Sequence, residues 1–164
     1  MLYSIKKVHL IGIGGIGMSG IAELLKNKEF AVSGSDISDS PNVQRLIDLG
    51  INVSIGHNKE NISDAELVIY SDAIPKDNVE LIEALAKNII VYSRARMISE
   101  IAKLNNSTVA IAGTHGKTTT TSMVGTILKA MNLDPTIIVG GVVKSLESNS
   151  VLGGGDTFVV EADE

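Results

Sequence analysis

The sequence predicts an α/β fold, in which a parallel sheet carries helices on both faces. Short apolar segments alternate with helix-like segments along the whole 164-residue chain, and such alternation is typical of parallel sheets. The core must be aliphatic, because only 3% of the residues are aromatic, and aliphatic residues fill strands that are buried on both faces. Glycine-rich turns end two of the strand-like segments and open the helices that follow, as in a Rossmann-like sheet.

The first domain is predicted over residues 1–105. After the first glycine turn, Ile21, Leu24 and Leu25 lie on one face at helical spacing, which predicts a helix. A second helix begins with Ser40 as its cap and Pro41 in its first position, where the missing N–H is tolerated. In chain order, strands are predicted over 8–13, 30–33, 52–55, 66–70 and 89–92, and helices over 16–27, 41–50, 78–86 and 96–104.

The second domain is predicted over residues 106–164. The polar residues 105–107 separate it from the first, and its expected elements are strands over 108–112, 136–139 and 158–160 and a helix over 122–131. The last strand runs into acidic residues, which usually line the functional edge of a sheet. A domain of this size is small for a complete nucleotide-binding sheet. We therefore expect an incomplete domain and a chain that is a fragment of a larger enzyme.

Charge and composition exclude several classes of partner. The net charge is −5 at pH 7, whereas nucleic-acid binders are usually basic. The absence of cysteine excludes disulfides and thiolate metal sites. No apolar run reaches the ~18 residues of a membrane span, and the N-terminus lacks the layout of a signal peptide. We expect a cytoplasmic protein that binds no nucleic acid and does not insert into membranes, and the sequence leaves its oligomeric state open.

The segment 113–120 predicts a nucleotide phosphate site. It follows an apolar strand and opens a helix, so backbone N–H groups and the positive helix end point at the phosphates. Lys117 supplies a mobile positive charge, and the hydroxyl of Thr118 can hold magnesium. Ile111 stands where the usual loop has an early glycine, so the alternative is a glycine turn before a hydroxyl-rich helix. The residues predicted to bind ATP are Gly113, Thr114, His115, Gly116, Lys117, Thr118 and Thr119.

The first glycine turn predicts a second nucleotide site. Gly12, Gly14 and Gly17 have the spacing of a diphosphate-binding βαβ unit, where they allow the tight turn, the approach of the pyrophosphate and helix–strand packing. Asp36 lies where such folds bond a ribose hydroxyl. The ligand could be NAD, FAD or a nucleotide sugar. One interpretation is an enzyme with ATP at one loop and a nucleotide-diphosphate substrate at the other; the alternatives are a Rossmann dehydrogenase, an NAD-regulated domain or a non-catalytic nucleotide sensor.

Taken together, these motifs resemble the Mur ligases of bacterial cell-wall synthesis. The resemblance runs over the whole chain, and that family's short loop accounts for the missing early glycine. It implies three domains, of which this chain would hold the UDP-substrate domain and the first part of a P-loop α/β ATPase domain. The rest of the ATPase domain and the third domain, which closes over ATP, would be absent. The segments that carry the resemblance are 9–22, 33–36, 94–95, 113–120, 140–141 and 161–164.

The resemblance also implies a reaction. It is the ATP-dependent ligation of L-alanine to the lactyl carboxylate of UDP-N-acetylmuramate, through an acyl phosphate, in peptidoglycan precursor synthesis. Lys117, Thr118 and Glu161 would be catalytic, and Thr118 and Glu161 would hold Mg²⁺. The turn at 14–18 is similar to that of the alanine-adding members, and a recycling ligase that attaches a ready-made tripeptide is the alternative. The fragment alone is expected to be inactive.

Most of the residues that would bind the UDP substrate lie in the first domain. Ser71 follows a strand at the carboxyl edge of the sheet, where such sheets bind ligands. His57 could line the uridine pocket, and Arg94 could meet a phosphate or carboxylate; the alternatives are a loop histidine and a solvent-exposed arginine. Asn149 is a candidate for contact with the muramyl group, and Asp163 and Glu164 for orienting neighbours. The full predicted UDP-substrate set is Gly12, Gly14, Gly15, Gly17, Met18, Ser19, Asp36, His57, Ser71 and Arg94.

Overall fold

The computed structural model describes residues 4–62, 64–143 and 148–162 of the chain. The chain forms two compact units, Met1–Met97 and Ile98–Glu164. This division falls within a helix, and the boundary that the sequence places after residue 105 stays a prediction. Asp163 and Glu164 lie outside the described residues. Within the described part of the chain, no helix is both long enough and apolar enough to cross a membrane.

Unit 1 is built on a parallel sheet of five strands in the order β3-β2-β1-β4-β5. Every neighbouring pair of these strands is parallel, which confirms the predicted Rossmann-like α/β fold. The strands are β1 (Lys7–Ile11), β2 (Ala31–Asp36), β3 (Asn52–Ile55), β4 (Leu67–Tyr70) and β5 (Ile90–Ser93). The helices are α1 (Ile16–Asn27), α2 (Pro41–Asp48), α3 (Val79–Ala86) and α4 (Arg94–Lys103), and a short 3-10 helix covers Lys59–Ile62.

One face of this sheet carries a polar strip. Ile11 of β1 packs with Leu81 of α3, and His9 lies on the same face because side chains alternate along a strand. Ser33 and Ser35 of β2 stand beside His9 and Ile11 in the register of the two strands. α1 contacts β2, and α2 contacts β3 and α1. The strip therefore lies under α3, within an otherwise aliphatic core.

Two helices of unit 1 begin at side-chain caps. The Ser40 hydroxyl accepts a hydrogen bond from the Val43 N–H at 3.3 Å, and Pro41 follows in the first helical position. The Asn78 side chain accepts from the N–H groups of Glu80 and Leu81 at 2.9 and 3.2 Å. Such caps satisfy N–H groups that have no partner inside the helix. The cap predicted at Ser40 is confirmed.

Gly34 of β2 is a point of close packing in unit 1. A Cβ atom at this position would lie 2.5 Å from Cδ1 of Ile13 and 2.7 Å from the backbone oxygen of Leu10. The backbone oxygen belongs to the neighbouring strand and cannot turn away. We therefore expect Gly34→Ala to lower the free energy of unfolding by about 1–3 kcal/mol, the usual cost of overpacking a core, measured from the urea midpoint.

A matched control for Gly34→Ala exists in the same strand. Ala31 is exposed at the start of β2, so Ala31→Val adds methyl groups to the same strand without a buried clash. We expect its urea midpoint to stay near that of the unchanged chain. Equal midpoints for Gly34→Ala and Ala31→Val would contradict the close packing at Gly34.

Unit 2 contains a four-stranded sheet in the order β6-β9-β7-β8. Its elements are β6 (Ser107–Ile111), α5 (Lys117–Ala130), β7 (Thr136–Val143), β8 (Ser148–Val151) and β9 (Thr157–Glu161). β9 pairs in parallel with both β6 and β7, whereas β8 is antiparallel to β7. α5 approaches this sheet closely at Gly125, where a Cβ atom would lie 2.3 Å from Cδ1 of Ile137.

Several predicted boundaries were wrong. β1 ends at Ile11 rather than residue 13, because Gly12 turns the chain with a φ of +75°. α5 begins at Lys117, five residues before the predicted start at 122, because the phosphate loop leads directly into the helix. β8, which contains Asn149, was not predicted, and the role proposed for the Asn149 side chain stays a prediction.

Candidate functional site

The first glycine turn is held against the end of β2. Gly12 has a φ of +75°, a conformation that favours glycine. The N–H groups of Gly12 and Ile13 both donate to the backbone oxygen of Ser35, at 2.8 and 3.0 Å. The Gly15 N–H donates to the Gly12 oxygen at 3.1 Å and closes the turn. The turn is therefore fixed before any ligand binds.

Asp36 fixes the same turn from the other side. Its Oδ2 accepts a hydrogen bond from the Gly14 N–H at 2.9 Å, and its Oδ1 accepts from the N–H of Ser38 at 3.1 Å. The side-chain amide of Asn42 donates to the Gly14 oxygen at 2.9 Å. A ribose hydroxyl would have to share the carboxylate with these donors. Contact between Asp36 and a ribose stays a prediction.

The N-terminus of α1 adjoins an arginine. The helix is capped by Gly15 without a side-chain hydrogen bond, so the first helical N–H groups are not satisfied by a capping side chain. A Cβ atom on Gly17 would lie 2.7 Å from Nη1 of Arg94. Gly17 therefore leaves room for the guanidinium group. Close packing between β2, β1 and the turn occurs at Gly34, which was not among the predicted site residues.

Two predicted contact residues point into the interior. Met18 is 1% exposed and Ser19 is fully buried. The Ser19 hydroxyl donates to the Ile16 oxygen at 3.1 Å. Both N–H groups donate to the Gly15 oxygen. Met18 and Ser19 thus support the turn from below, and their contact with a ligand stays a prediction.

A cleft of about 590 Å³ lies at the carboxyl edge of the sheet in unit 1. It brings together most of the predicted UDP-substrate residues, but Gly17, Met18, Ser19 and Arg94 do not line it. Its wall combines backbone of the glycine turn, polar side chains and a short apolar stretch. The lining residues are Gly12, Gly14, Gly15, Asp36, Ile37, Ser38, Ser40, His57, Ser71, Ala73, Ile74, Pro75 and Asn78.

Glu80 lies beneath this cleft as a fully buried acid. Its Oε2 accepts from the Ser35 hydroxyl at 2.5 Å, and its Oε1 accepts from the Asn61 amide at 2.6 Å and the Asn58 N–H at 3.1 Å. His9 Nε2 lies 3.4 Å from Oε2. Burial alone would raise the pKa of Glu80, but the nearby His9 ring and the hydrogen bonds from Ser35, Asn61 and Asn58 together lower that pKa to about 2. Glu80 is therefore ionised at neutral pH.

The sequence analysis did not select Glu80. It shares the buried side of α3 with Leu81 and Ala84, so the helical spacing of these apolar residues could have indicated a buried acid. Its partners come from β1, β2 and the segment after β3, and no local motif joins these segments. His57, which was selected, touches this network: its Nδ1 lies 3.0 Å from Ser35 Oγ and 3.5 Å from Glu80 Oε2.

The phosphate loop of unit 2 joins β6 to α5. Gly113 and Gly116 have φ values of +145° and +75°, and Gly116 caps α5 without a side-chain hydrogen bond. The Lys117 Nζ donates to the Gly113 oxygen at 2.7 Å, so the ammonium group spans the loop. Thr114, His115 and Thr119 are exposed. The loop thus presents backbone N–H groups, a helix N-terminus and a cation at one place.

Glu161 lies beside this loop. β6 and β9 are adjacent parallel strands in which Ile111 stands opposite Glu161, and the Ala162 N–H donates to the Ile111 oxygen at 2.9 Å. Both strands therefore end at one edge, where the loop begins. Glu161 is 6% exposed, and Thr118 is half-buried in the first turn of α5.

The edge of the sheet at which β6 and β9 end fits Mg²⁺ better than it fits a metal ion whose ligands all come from protein side chains. No group of three or more histidine, aspartate or glutamate side chains that could hold a metal occurs among the described residues. Mg²⁺ usually takes one or two carboxylates together with phosphate oxygens and water. One carboxylate from Glu161 and one hydroxyl from Thr118 fit that requirement. Their roles as metal ligands stay a prediction.

Comparison with known proteins decides the family. The model described as "Mur ligase family, catalytic domain" matches residues 7–106, more than half of the chain. The chain belongs to the Mur ligase family. This match includes the first glycine turn, the cleft and Glu80. The resemblance stated from the two loops is thereby confirmed.

Individual Mur ligases are similar over nearly the whole chain. A UDP-N-acetylmuramate–L-alanine ligase of Xanthobacter autotrophicus is 55% identical over 157 residues, which are 96% of this chain and 33% of the relative. The crystal structure of a UDP-N-acetylmuramate–alanine ligase from Thermotoga maritima has a TM-score of 0.85 at 34% identity, covering 94% of this chain and 37% of that one. The chain spans about a third of the length of the curated relatives it matches.

A second type of Mur ligase is similar in structure. The crystal structure of UDP-N-acetylmuramate:L-alanyl-γ-D-glutamyl-meso-diaminopimelate ligase from Neisseria meningitides has a TM-score of 0.86 at 30% identity. It covers 98% of this chain and 53% of that one. The fold is therefore shared by ligases whose names give different amino components.

Proposed function

We propose that this segment supplies the UDP-N-acetylmuramate site and the phosphate loop of a ligase that joins L-alanine to that substrate at the expense of ATP. The observation that carries the proposal is the pairing of β6 with β9, which places Glu161 beside the loop at Lys117. A carboxylate next to a lysine-containing loop is suited to binding a nucleoside triphosphate together with Mg²⁺. The cleft at the first glycine turn then takes the nucleotide-diphosphate substrate.

In the proposed reaction, an oxygen of the lactyl carboxylate attacks the γ-phosphorus of ATP, and the bond to the β-phosphate breaks to give an acyl phosphate and ADP. The amine of L-alanine then attacks the acyl carbon, loses a proton and expels phosphate. Lys117 and the N–H groups of the loop offset the negative charge of the phosphates, because phosphoryl transfer depends mainly on positioning and charge. Thr118 and Glu161 would hold Mg²⁺, which when bound neutralises phosphate charge.

The choice of L-alanine depends on the relatives. The curated relative at 55% identity is named for L-alanine, whereas the ligase named for a tripeptide is 30% identical. The recycling ligase is therefore the second candidate. Peptidoglycan precursor synthesis in the cytoplasm belongs to the same proposal.

A calorimetric titration of this chain tests the substrate of the first glycine turn. We expect heat of binding with UDP-N-acetylmuramate and none with NAD at equal concentration, because the second loop and Glu161 favour a ligase over a dehydrogenase. Binding of NAD in place of the UDP sugar would support the dehydrogenase alternative and overturn the proposal.

Two glycines at matched φ provide the control. Gly12 and Gly116 have φ values of +75° in the two different loops, and alanine is strained at either position. Gly12→Ala should weaken UDP-N-acetylmuramate binding, whereas Gly116→Ala should leave it unchanged. The opposite order of effects would mean that the UDP substrate binds at the second loop.

A further inference from the structure

We propose that Glu80 is a positioning residue that acts through Ser35: it holds His57 as the tautomer with a proton on Nδ1, so that Nε2 offers a hydrogen-bond acceptor to the nucleotide in the cleft. His57 lines the cleft with a 16% exposed side chain, while its Nδ1 faces the buried Ser35. Nε2 is therefore the ring nitrogen left for a ligand. The identity of that ligand rests on the proposed function, whereas the tautomer does not.

The direction of each proton follows from the chain of contacts. An ionised carboxylate can only accept hydrogen bonds, and Glu80 Oε2 lies 2.5 Å from Ser35 Oγ, so the single Ser35 proton points at Glu80. Towards His57, Ser35 Oγ then presents only a lone pair. The 3.0 Å contact between Ser35 Oγ and His57 Nδ1 requires the proton to be on Nδ1.

The rest of the network holds the Glu80 carboxylate in place. Oε1 accepts from the N–H of Asn58 and from the amide of Asn61, both in the segment that follows His57. On the other side, His9 is 1% exposed and its Nδ1 lies 2.9 Å from Ser33 Oγ. His9 therefore approaches the Glu80 carboxylate from the protein interior and does not line the cleft. The Glu80 carboxylate has no lysine or arginine partner among the described contacts, so these donors stabilise its negative charge.

The fixed tautomer has a consequence for the ligand. A neutral His57 with its proton on Nδ1 accepts at Nε2 and cannot donate there. It therefore favours a nucleotide that points a donor at this part of the cleft. In a uridine nucleotide that donor is either the imide N–H of the base or a ribose hydroxyl. Reversal of the tautomer would place two donors face to face at the imide N–H, and would require a ribose hydroxyl to turn from donor to acceptor.

Glu80→Gln should reverse the tautomer. The N–H of Asn58 and the amide of Asn61 still require an acceptor, so the glutamine oxygen takes that side and its NH₂ group faces Ser35. Ser35 Oγ then accepts from the glutamine and turns its own proton to His57 Nδ1. The remaining His57 proton moves to Nε2. Glu83→Gln is the matched control, because Glu83 lies on the same helix and pairs only with Lys87 in the described contacts.

The tautomer is measured by long-range ¹H–¹⁵N spectra of the labelled chain, well above the ordinary histidine pKa of about 6.5. The His57 signals are identified by their loss in His57→Gln. We expect an Nδ1-protonated ring in the unchanged chain and in Glu83→Gln, and an Nε2-protonated ring in Glu80→Gln. A ring protonated at Nε2 in the unchanged chain would overturn the proposal, whether or not Glu80→Gln folds.

Calorimetry with UDP-N-acetylmuramate measures the effect on the ligand. Glu80→Gln should weaken binding on the order of tenfold, since a donor is left unpaired, and Glu83→Gln should not. Two analogues of uridine diphosphate distinguish the two donors: one is methylated at N3 and the other lacks the 2′-hydroxyl. The analogue that lacks the donor facing His57 should bind the unchanged chain and Glu80→Gln with equal affinity. If Glu80→Gln reverses the tautomer but binds UDP-N-acetylmuramate as tightly as the unchanged chain, His57 Nε2 has no role in binding and that part of the proposal is overturned. No binding of any uridine nucleotide would refute the proposed function, while the spectra still decide the tautomer.

Discussion

Replacing Lys117 by alanine in a full-length ligase that carries this segment should lower turnover by at least about 100-fold, the usual effect of removing a group that stabilises transition-state charge. The Lys117 ammonium already spans the loop to the Gly113 oxygen at 2.7 Å. It is thus placed where the β- and γ-phosphates are expected. UDP-N-acetylmuramate binding should stay within about twofold, because that substrate is assigned to the other glycine turn. Turnover is measured by ADP release, and substrate binding by calorimetry.

Lys129→Ala is the matched control for Lys117. Lys129 is exposed in the last turn of the same helix, so its replacement removes one positive charge from α5 without touching the loop. Its turnover should equal that of the unchanged enzyme. The division of roles between the two loops would be wrong if Lys117→Ala kept its turnover or lost the UDP substrate.

Glu161→Gln should produce the second large effect in the same full-length enzyme. The substitution keeps the size of the side chain but removes the charge that a hard cation prefers. We expect turnover to fall by about 100-fold and the Mg²⁺ concentration for half-maximal activity to rise. Both are measured by ADP release across a magnesium titration, and circular dichroism checks that the fold is kept.

Asp156→Asn is the matched control for Glu161. Asp156 is exposed and directly precedes β9, at the opposite end of the strand from Glu161. Its replacement removes the same charge from the same strand, and the magnesium dependence should not change. An unchanged magnesium dependence in Glu161→Gln would remove the proposed ligand and leave Thr118 without a partner in the metal site.

Local signals predicted much of the fold. The bounds of α1 and β3 agree with the predicted ranges 16–27 and 52–55, and the cap at Ser40 begins α2 as expected. Each of these elements depends on residues within one or two turns of chain. The start of α5 was predicted too late, because its first residues are mostly threonines, which are weak helix formers. The glycine-capped loop determines that start instead.

Contacts between distant segments were beyond the reach of sequence patterns. The spacing of Gly12, Gly14 and Gly17 predicted the turn, but not that Asp36 binds the Gly14 N–H or that Gly17 makes room for Arg94. Glu80 meets residues of β1, β2 and the segment after β3, so its environment exists only once these segments are assembled. Helical spacing alone could have marked it as buried, without indicating its partners.

The position of β9 has a consequence for the order in which unit 2 can form. β9 follows β6, β7 and β8 in the chain but lies between β6 and β7, and among the described residues it pairs with both of them. Until β9 has left the ribosome, β6 lacks the strand that pairs with it in the described part of the chain. Closure of this sheet is thus a long-range event, which slows folding relative to local pairing. A nascent chain therefore completes its phosphate loop and gains Glu161 in the same folding step.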